Sequence, residues 1–171
     1  MFKKGQAAME FLMTYGWAIL VVLAAIGALA YFGVLSPDNL LPERTSFQAP
    51  IPNIDNAYIT TDGAVEIAFS SNVGYAINIK TASASMTGIE VAGVPADCTT
   101  GTTVEVNGVA ADTDVVNNGK ANVKWTCLAA GNAAVAWNKG DRVKGTLTFT
   151  YTNSYTGQTR SHTGTINGKV S

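Results

Sequence analysis

Two hydrophobic patterns divide this chain. From Phe11 to Leu35 apolar residues occur on every side of a helical projection, and no Asp, Glu, Lys or Arg lies between Glu10 and Asp38. As a helix, the span Ala7–Leu35 would be roughly 43 Å long, which exceeds the ~30 Å apolar core of a bilayer. A helix that is apolar all round is covered by lipid or lies inside a large assembly. The pattern predicts a helix over residues 6–36 that is covered by lipid or by sister copies.

The helix is predicted to end near Leu35, because Pro37 cannot continue it and disfavours helical geometry at Ser36. All but one of the prolines fall within the next stretch, at Pro37, Pro42, Pro50 and Pro52. This composition predicts an extended connector over residues 37–53.

From Ile54 onward the apolar residues recur with a period of two. Val65, Ile67 and Phe69 alternate with more polar neighbours, and Tyr75, Ile77 and Ile79 repeat the pattern after a turn. Alternation over 143–151 followed by a return through 159–166 indicates a β-hairpin. Short alternating strands at this spacing are typical of antiparallel sandwiches. The predicted fold class is α+β: a long N-terminal helix followed by an antiparallel, immunoglobulin-like β-sandwich head over residues 54–171.

Composition narrows the class of protein further. The 171-residue chain is close to neutral and only 13% of its residues are charged, which argues against nucleic-acid binding because that needs a basic surface. The charges are segregated: residues 38–119 carry ten acidic and two basic residues, and residues 120–171 carry seven basic residues and one acidic. Either the two halves balance each other across a sheet, or acidic and basic faces meet between subunits.

Cys98 and Cys127 are the only two cysteines, and both lie in the predicted head. In an exported domain such a pair most simply forms one disulfide, and two buried free thiols are the alternative. The irregular stretch between them, Thr99–Asn122, predicts long loops. A metal site is not expected, because His162 is the only histidine and no Cys-x-x-Cys occurs.

Candidate catalytic chemistry is sparse. His162 lies in a strand-like stretch without a Gly-x-Ser-x-Gly elbow, so we predict a solvated strand residue. Asp112 and Asp114 are spaced like calcium ligands but lack the glycine and terminal glutamate of an EF-hand, so a surface turn is expected. Trp125 and Trp137 are predicted core residues, although exposed tryptophans could also stack on sugars. We expect neither an enzyme nor a cofactor.

Glu10 does not suit a plain membrane anchor. Placing a carboxylate at the middle of the membrane costs ~2.5 kcal/mol of free energy or more. If the chain were cut between Gly5 and Gln6, the new α-amino group would be positively charged beside the start of the helix. In a bundle of identical helices, Glu10 of one copy could neutralise that amine on its neighbour and fix the axial register.

The opening Lys3-Lys4-Gly5, then Gln6-Ala-Ala-Met-Glu10, then an uninterrupted apolar helix, resembles the class III signal peptide of archaeal type IV pilins of the adhesion type. The resemblance covers roughly the first 35 residues. It implies removal of residues 1–5 by a prepilin peptidase after Gly5, a mature subunit that begins at Gln6, and an assembly role for Glu10. It also implies a membrane assembly platform, and a precursor in the membrane that becomes an extracellular adhesive filament.

Two other interpretations of the N-terminal segment remain open. An ordinary secretory signal peptide would be cut after Ala28-Leu29-Ala30, and a single-pass anchor would stay uncut. In all three cases Lys3 and Lys4 place the head outside the cell. The expected function is a structural pilin that forms a homopolymer, and the alternative is an anchored or secreted β-domain that does not polymerise.

Overall fold

The computed structural model describes residues 3–31, 41–96, 98, 101–129 and 133–171 of the chain. It forms two compact units, Met1–Leu41 and Pro42–Ser171. The first contains one helix, and the second, called the head below, contains all the strands that the structure describes.

Helix α1 spans Lys3–Tyr31, 29 residues, or roughly 43 Å at 1.5 Å per residue. Its backbone runs without a break through the Gly5–Gln6 junction, and the side chains of residues 3–8 are not described. The predicted helix end near Leu35 falls in residues 32–40, outside the described part. Within α1 the Thr14 hydroxyl donates a hydrogen bond to the Glu10 carbonyl at 2.8 Å, and the Phe11 and Tyr15 rings lie 4.5 Å apart on successive turns.

The described head contains eleven strands. Their bounds are β1 Arg44–Phe47, β2 Tyr58–Ile59, β3 Ala64–Ser70, β4 Ile77–Val91, β5 Val94–Pro95, β6 Gly101–Val106, β7 Thr113–Val115, β8 Lys120–Ala129, β9 Ala133–Ala134, β10 Arg142–Asn153 and β11 Thr159–Lys169. One sheet has the order β1-β11-β10-β4-β5, with β7 also beside β4, and the other has the order β2-β3-β8-β6, with β9 also beside β8. Every pairing between these described strands is antiparallel. The predicted α+β fold, an apolar helix followed by antiparallel β-sheets, is confirmed.

The two sheets share one hydrophobic core. Phe69 on β3 and Phe149 on β10 belong to different sheets, and their ring centroids are 5.2 Å apart. Trp125 on β8 lies beside both rings, at 6.1 Å from Phe69 and 6.2 Å from Phe149. All three side chains are fully buried, and each contributes about 1.5–3 kcal/mol or more relative to an exposed position. The period-two pattern therefore identified Phe69 and Phe149 correctly as inward-facing.

The predicted hairpin is β10–β11, in register from Arg142 opposite Lys169 to Thr152 opposite Thr159. The residues expected to point inward on β10, Val143, Leu147, Phe149 and Tyr151, are all buried. The alternation fails at Tyr75, which is 48% exposed. It precedes the first residue of β4, Ile77, and follows Gly74, whose φ of +92° turns the chain. Tyr75 therefore lies outside the strand to which its spacing assigned it.

The connector predicted over residues 37–53 is wrong from Pro42 onward. Residues 44–47 form β1, which pairs with β11 so that Phe47 lies opposite Gly164. Phe47 and Ile51 are buried in the core. The prolines flank this strand rather than interrupt it, so its amide groups remain available for pairing. Residues 37–40 lie outside the described part.

The loops predicted over Thr99–Asn122 are also wrong in part, because β6 and β7 lie within that stretch. A two-residue turn at Asn107-Gly108, with φ angles of +53° and +78°, follows β6. Such a turn needs positive φ at both positions, which Asn and Gly tolerate. The irregular pattern that suggested long loops reflects short strands joined by tight turns.

Candidate functional site

The most unusual surface of the protein is helix α1. Its large apolar side chains are 45–87% exposed within the chain. The stretch Met9–Tyr31 has a mean hydropathy of 2.1 and none of that window is buried. It therefore has the length and composition of a membrane-spanning helix. Contiguous apolar surface of this extent marks an interface with lipid or protein.

Glu10 is the one carboxylate on the described part of α1, and its side chain is exposed. Since α1 is continuous from Lys3, residue 6 lies one turn before Glu10, about 6 Å along the axis. The spacing also places Glu10 on the same helical face as Thr14, Trp17 and Val21. Among the side chains that the structure describes, none pairs with this carboxylate. Gly5 and Gln6 lie in the helical backbone, and the side chain of Gln6 is outside the description.

The second half of α1 is rich in small residues, namely Ala24, Ala25, Gly27, Ala28 and Ala30. A Cβ built on Gly27 would meet nothing within 4 Å. Small side chains let helix backbones approach closely, so this half of α1 is suited to tight packing against another helix.

The cysteines and tryptophans have structural roles. Cys98 and Cys127 form a disulfide bond, as predicted. Trp125 and Trp137 are both buried, which confirms the core prediction, and Trp125 Nε1 donates to the Thr148 carbonyl at 3.4 Å. Neither tryptophan is available to stack on a partner.

The prediction that His162 is solvated is wrong, because only 8% of its surface is exposed. Its Nε2 lies 2.9 Å from the Ile51 carbonyl oxygen, and since a carbonyl only accepts, Nε2 carries the proton and donates. Burial lowers the pKa of His162 below its ordinary 6.5, and the bond to Ile51 opposes that shift. His162 has the same strand parity as Ile166 and Val170, both buried, so the alternation in β11 already pointed to an inward side chain.

The two carboxylates that are spaced like calcium ligands, Asp112 and Asp114, contact other groups of the head. Asp112 forms an ion pair with Lys80 at 2.9 Å and accepts the Thr81 amide at 3.0 Å. These two contacts, the Lys80 bond first, lower the pKa of Asp112. Asp114 accepts a hydrogen bond from Asn78 at 2.8 Å. No cluster of three or more His, Cys, Asp or Glu side chains suited to a metal occurs among the residues described.

Charges from the acidic and basic halves meet inside the head. Lys124 on β8 lies opposite both Glu66 on β3 and Glu105 on β6, and its Nζ is 3.8 Å from the Glu105 carboxylate. Lys144 lies opposite Glu90 in the other sheet. These positions favour intramolecular balance across the sheets over charge pairing between subunits.

The sequence pattern does not reveal a second surface: Tyr75 and Tyr155 stack nearly in parallel on the outside of the head. The two residues are 80 positions apart in sequence, so no local pattern brings them together. Tyr155 falls at the tip of the predicted hairpin, which is the one local signal of an exposed ring.

Comparison with known proteins gives no assignment: no protein-family model matches this chain, and no curated protein matches it in sequence.

Proposed function

We propose that this chain is the structural subunit of an archaeal type IV-like adhesion pilus, inserted in the membrane as a precursor and polymerised through α1 into an extracellular filament. The observation that carries the proposal is a helix with exposed apolar side chains all round and a single carboxylate near its start. The Lys-Lys-Gly-Gln opening supports it, since it matches the processing signal of such pilins.

The exposed apolar side chains of α1 require an apolar environment. Full burial of one Leu, Ile, Val, Phe or Met side chain is worth about 1.5–3 kcal/mol, so water is strongly disfavoured around α1. Lipid and a bundle of sister helices are both apolar, and transfer between them therefore gains little from the hydrophobic effect. Polar groups and close packing decide between the two environments.

In the proposed mechanism, Glu10 is the polar group that favours the helix bundle over lipid. After cleavage behind Gly5, the α-amino group of Gln6 is a cation one turn from the carboxylate. In a sister copy displaced along the axis, the amine of one chain pairs with Glu10 of the next. The pair removes two charges from an apolar environment, where an acidic or basic side chain costs about 2.5–3.5 kcal/mol. A head-to-tail contact of this kind generates an open helical filament.

Intact-mass measurement of material sheared from the cell surface tests the processing step. The pilus proposal expects a chain that begins at Gln6. A chain that begins at Tyr31 identifies a secreted protein, and one that retains Met1 identifies an uncut anchor. Either result contradicts the proposal.

Substitution of Glu10 tests assembly separately from processing. Glu10→Ala and Glu10→Gln are expected to abolish filaments while the processed chain remains in the membrane, and Glu10→Asp to retain some assembly. Glu43→Ala is the matched control, because it removes an exposed carboxylate outside the described helix. Filaments of Glu10→Gln that are as abundant as those of Glu43→Ala would rule out the charge pair.

A further inference from the structure

Tyr75 and Tyr155 form an exposed aromatic pair at one end of the head. Their rings are nearly parallel, 9° apart, with centroids separated by 4.7 Å. They nevertheless remain 48% and 76% exposed. Tyr151 nearby is buried in the core, whereas this pair lies outside it. The pair therefore presents aromatic surface to the solvent.

The segments that carry the two rings are held in place by backbone contacts. The amide of Ser154, beside Tyr155, donates to the Ala76 carbonyl at 2.9 Å. The Asn153 side-chain oxygen accepts the amides of Tyr155 at 2.9 Å and Thr156 at 3.1 Å, which closes the hairpin turn. On the other segment the Gly74 amide donates to the Asn117 side chain at 2.9 Å. The aromatic surface is thus preorganised, which lowers the entropic cost of binding.

Tyr75 also forms part of the wall of a surface hollow of about 260 Å³. Its apolar wall is completed by Pro50, Val73 and Tyr151, and polar groups come from Asn153, Thr156, Gln158 and Arg160. The volume is just below ~300 Å³, the lower end of the usual size range of small-molecule pockets. An apolar wall joined to a set of convergent polar groups is the usual composition of a small-ligand site.

Arg160 gives the hollow its charge. The side chain is exposed, and its one hydrogen bond in the described structure goes to the Gln158 side chain at 3.4 Å. Among the residues that the structure describes, no Asp or Glu lines the hollow. A guanidinium has five N–H donors and binds a carboxylate through two parallel hydrogen bonds. The hollow is therefore suited to a ligand that carries a carboxylate.

We propose that the hollow lined by Tyr75 and Arg160 binds a sugar ring that bears a carboxylate, as in a uronic acid polysaccharide. A pyranose ring has one face of C–H groups, which packs against an aromatic ring, and a rim of hydroxyls, which pair with amides and hydroxyls. Tyr75, against which Tyr155 stacks, supplies the aromatic surface, Asn153 and Gln158 the amides, and Arg160 the cation. All of these residues lie in the head, so the inference does not depend on a filament.

The test uses the full chain in a detergent whose headgroup is not a sugar, with polygalacturonate as the probe. Saturation-transfer NMR detects the bound polygalacturonate, and titration of the protein with polygalacturonate gives the affinity. Tyr75→Ala, which removes the exposed lining ring, and Arg160→Gln are each expected to weaken binding about tenfold, equivalent to about 1.4 kcal/mol. Tyr58→Ala is the matched control, because Tyr58 is 56% exposed on β2 and does not line the hollow; its binding is expected to be unchanged.

Two further probes separate a sugar site from simple charge attraction. Polyglutamate carries carboxylates without sugar rings and dextran carries sugar rings without carboxylates, so both are expected to bind at least tenfold more weakly. Arg160→Gln removes a surface side chain with one long hydrogen bond and does not threaten the fold. Absence of polygalacturonate binding, equal binding of polyglutamate, or equal weakening by Tyr58→Ala would each overturn the proposal.

Discussion

Gly164 is a position at which the packing of the head is sensitive to a single added methyl group. It lies opposite Phe47 in the β1–β11 pairing, and the Phe47 ring covers it. A Cβ placed on Gly164 would lie 2.5 Å from Cδ1 and Cδ2 of that ring and closer still to Cγ. An ordinary contact between such atoms is 3.4–4 Å, so the Gly164→Ala variant requires the ring to move by about 1 Å.

Three neighbouring rings restrict the movement of the Phe47 ring. Phe69 lies 4.8 Å from it edge-on, His162 lies 5.7 Å away and Phe149 6.3 Å away, measured between ring centroids. Overpacking of a well-packed core costs about 1–3 kcal/mol, and the rigid surroundings place Gly164→Ala near the upper end. At about 4 °C per kcal/mol for a domain of this size, we expect the melting temperature to fall by roughly 8–12 °C.

The assay is thermal unfolding of the full chain in detergent, followed by near-UV circular dichroism. Gly168→Ala is the matched control on the same strand. Its Cβ would meet the end of the Ile59 side chain at 2.9 Å, which can rotate away, so we expect a loss below about 1 kcal/mol. In a Phe47→Leu background the added cost of Gly164→Ala should fall by at least 1 kcal/mol, because the smaller side chain leaves space.

The explanation has two ways to fail. Gly164→Ala and Gly168→Ala with equal melting temperatures would show that the ring contact is not the cause. Strict additivity of Gly164→Ala and Phe47→Leu would show the same, because residues in direct contact are expected to couple.

Three other outcomes are expected. Reduction of the Cys98–Cys127 bond opens a loop with a sequence separation of 29, which should lower the free energy of unfolding by about 3–4 kcal/mol; a loss below about 1 kcal/mol in urea titrations would contradict this. The pKa of His162 is lowered in the folded state, so below its ordinary 6.5 the unfolded chain binds more protons. The free energy of unfolding should therefore fall as the pH drops from 6.5 toward the folded pKa. Between pH 7 and 5 this free energy should depend less on pH in His162→Gln, because glutamine keeps a donor and does not titrate. Trp125→Phe should cost about 1–3 kcal/mol, because it leaves a void among Phe69 and Phe149 and frees the Thr148 carbonyl; a cost equal to that of Tyr58→Phe on the surface would refute it.

Much of the fold followed from periodicity. The run from Phe11 carries no charge and no proline before Pro37, so helix was the one structure that satisfies its backbone in an apolar setting. The alternation in residues 65–69 and 143–151 identified inward side chains correctly, because a strand with one buried face must alternate. The prediction failed where a residue's role depends on a distant partner: β1 was assigned to a connector, since its pairing with β11 is invisible locally.

The sequence by itself determined the apolar helix, the single carboxylate at its start, the period-two strands and the pair of cysteines, because each is a local property of residue type and spacing. The tertiary structure alone decided that His162 is buried, that Phe47 covers Gly164, and that Tyr75 meets Tyr155. Those outcomes depend on which strands become neighbours in the sheets, and strand order is set by the packing of the whole core rather than by any one segment.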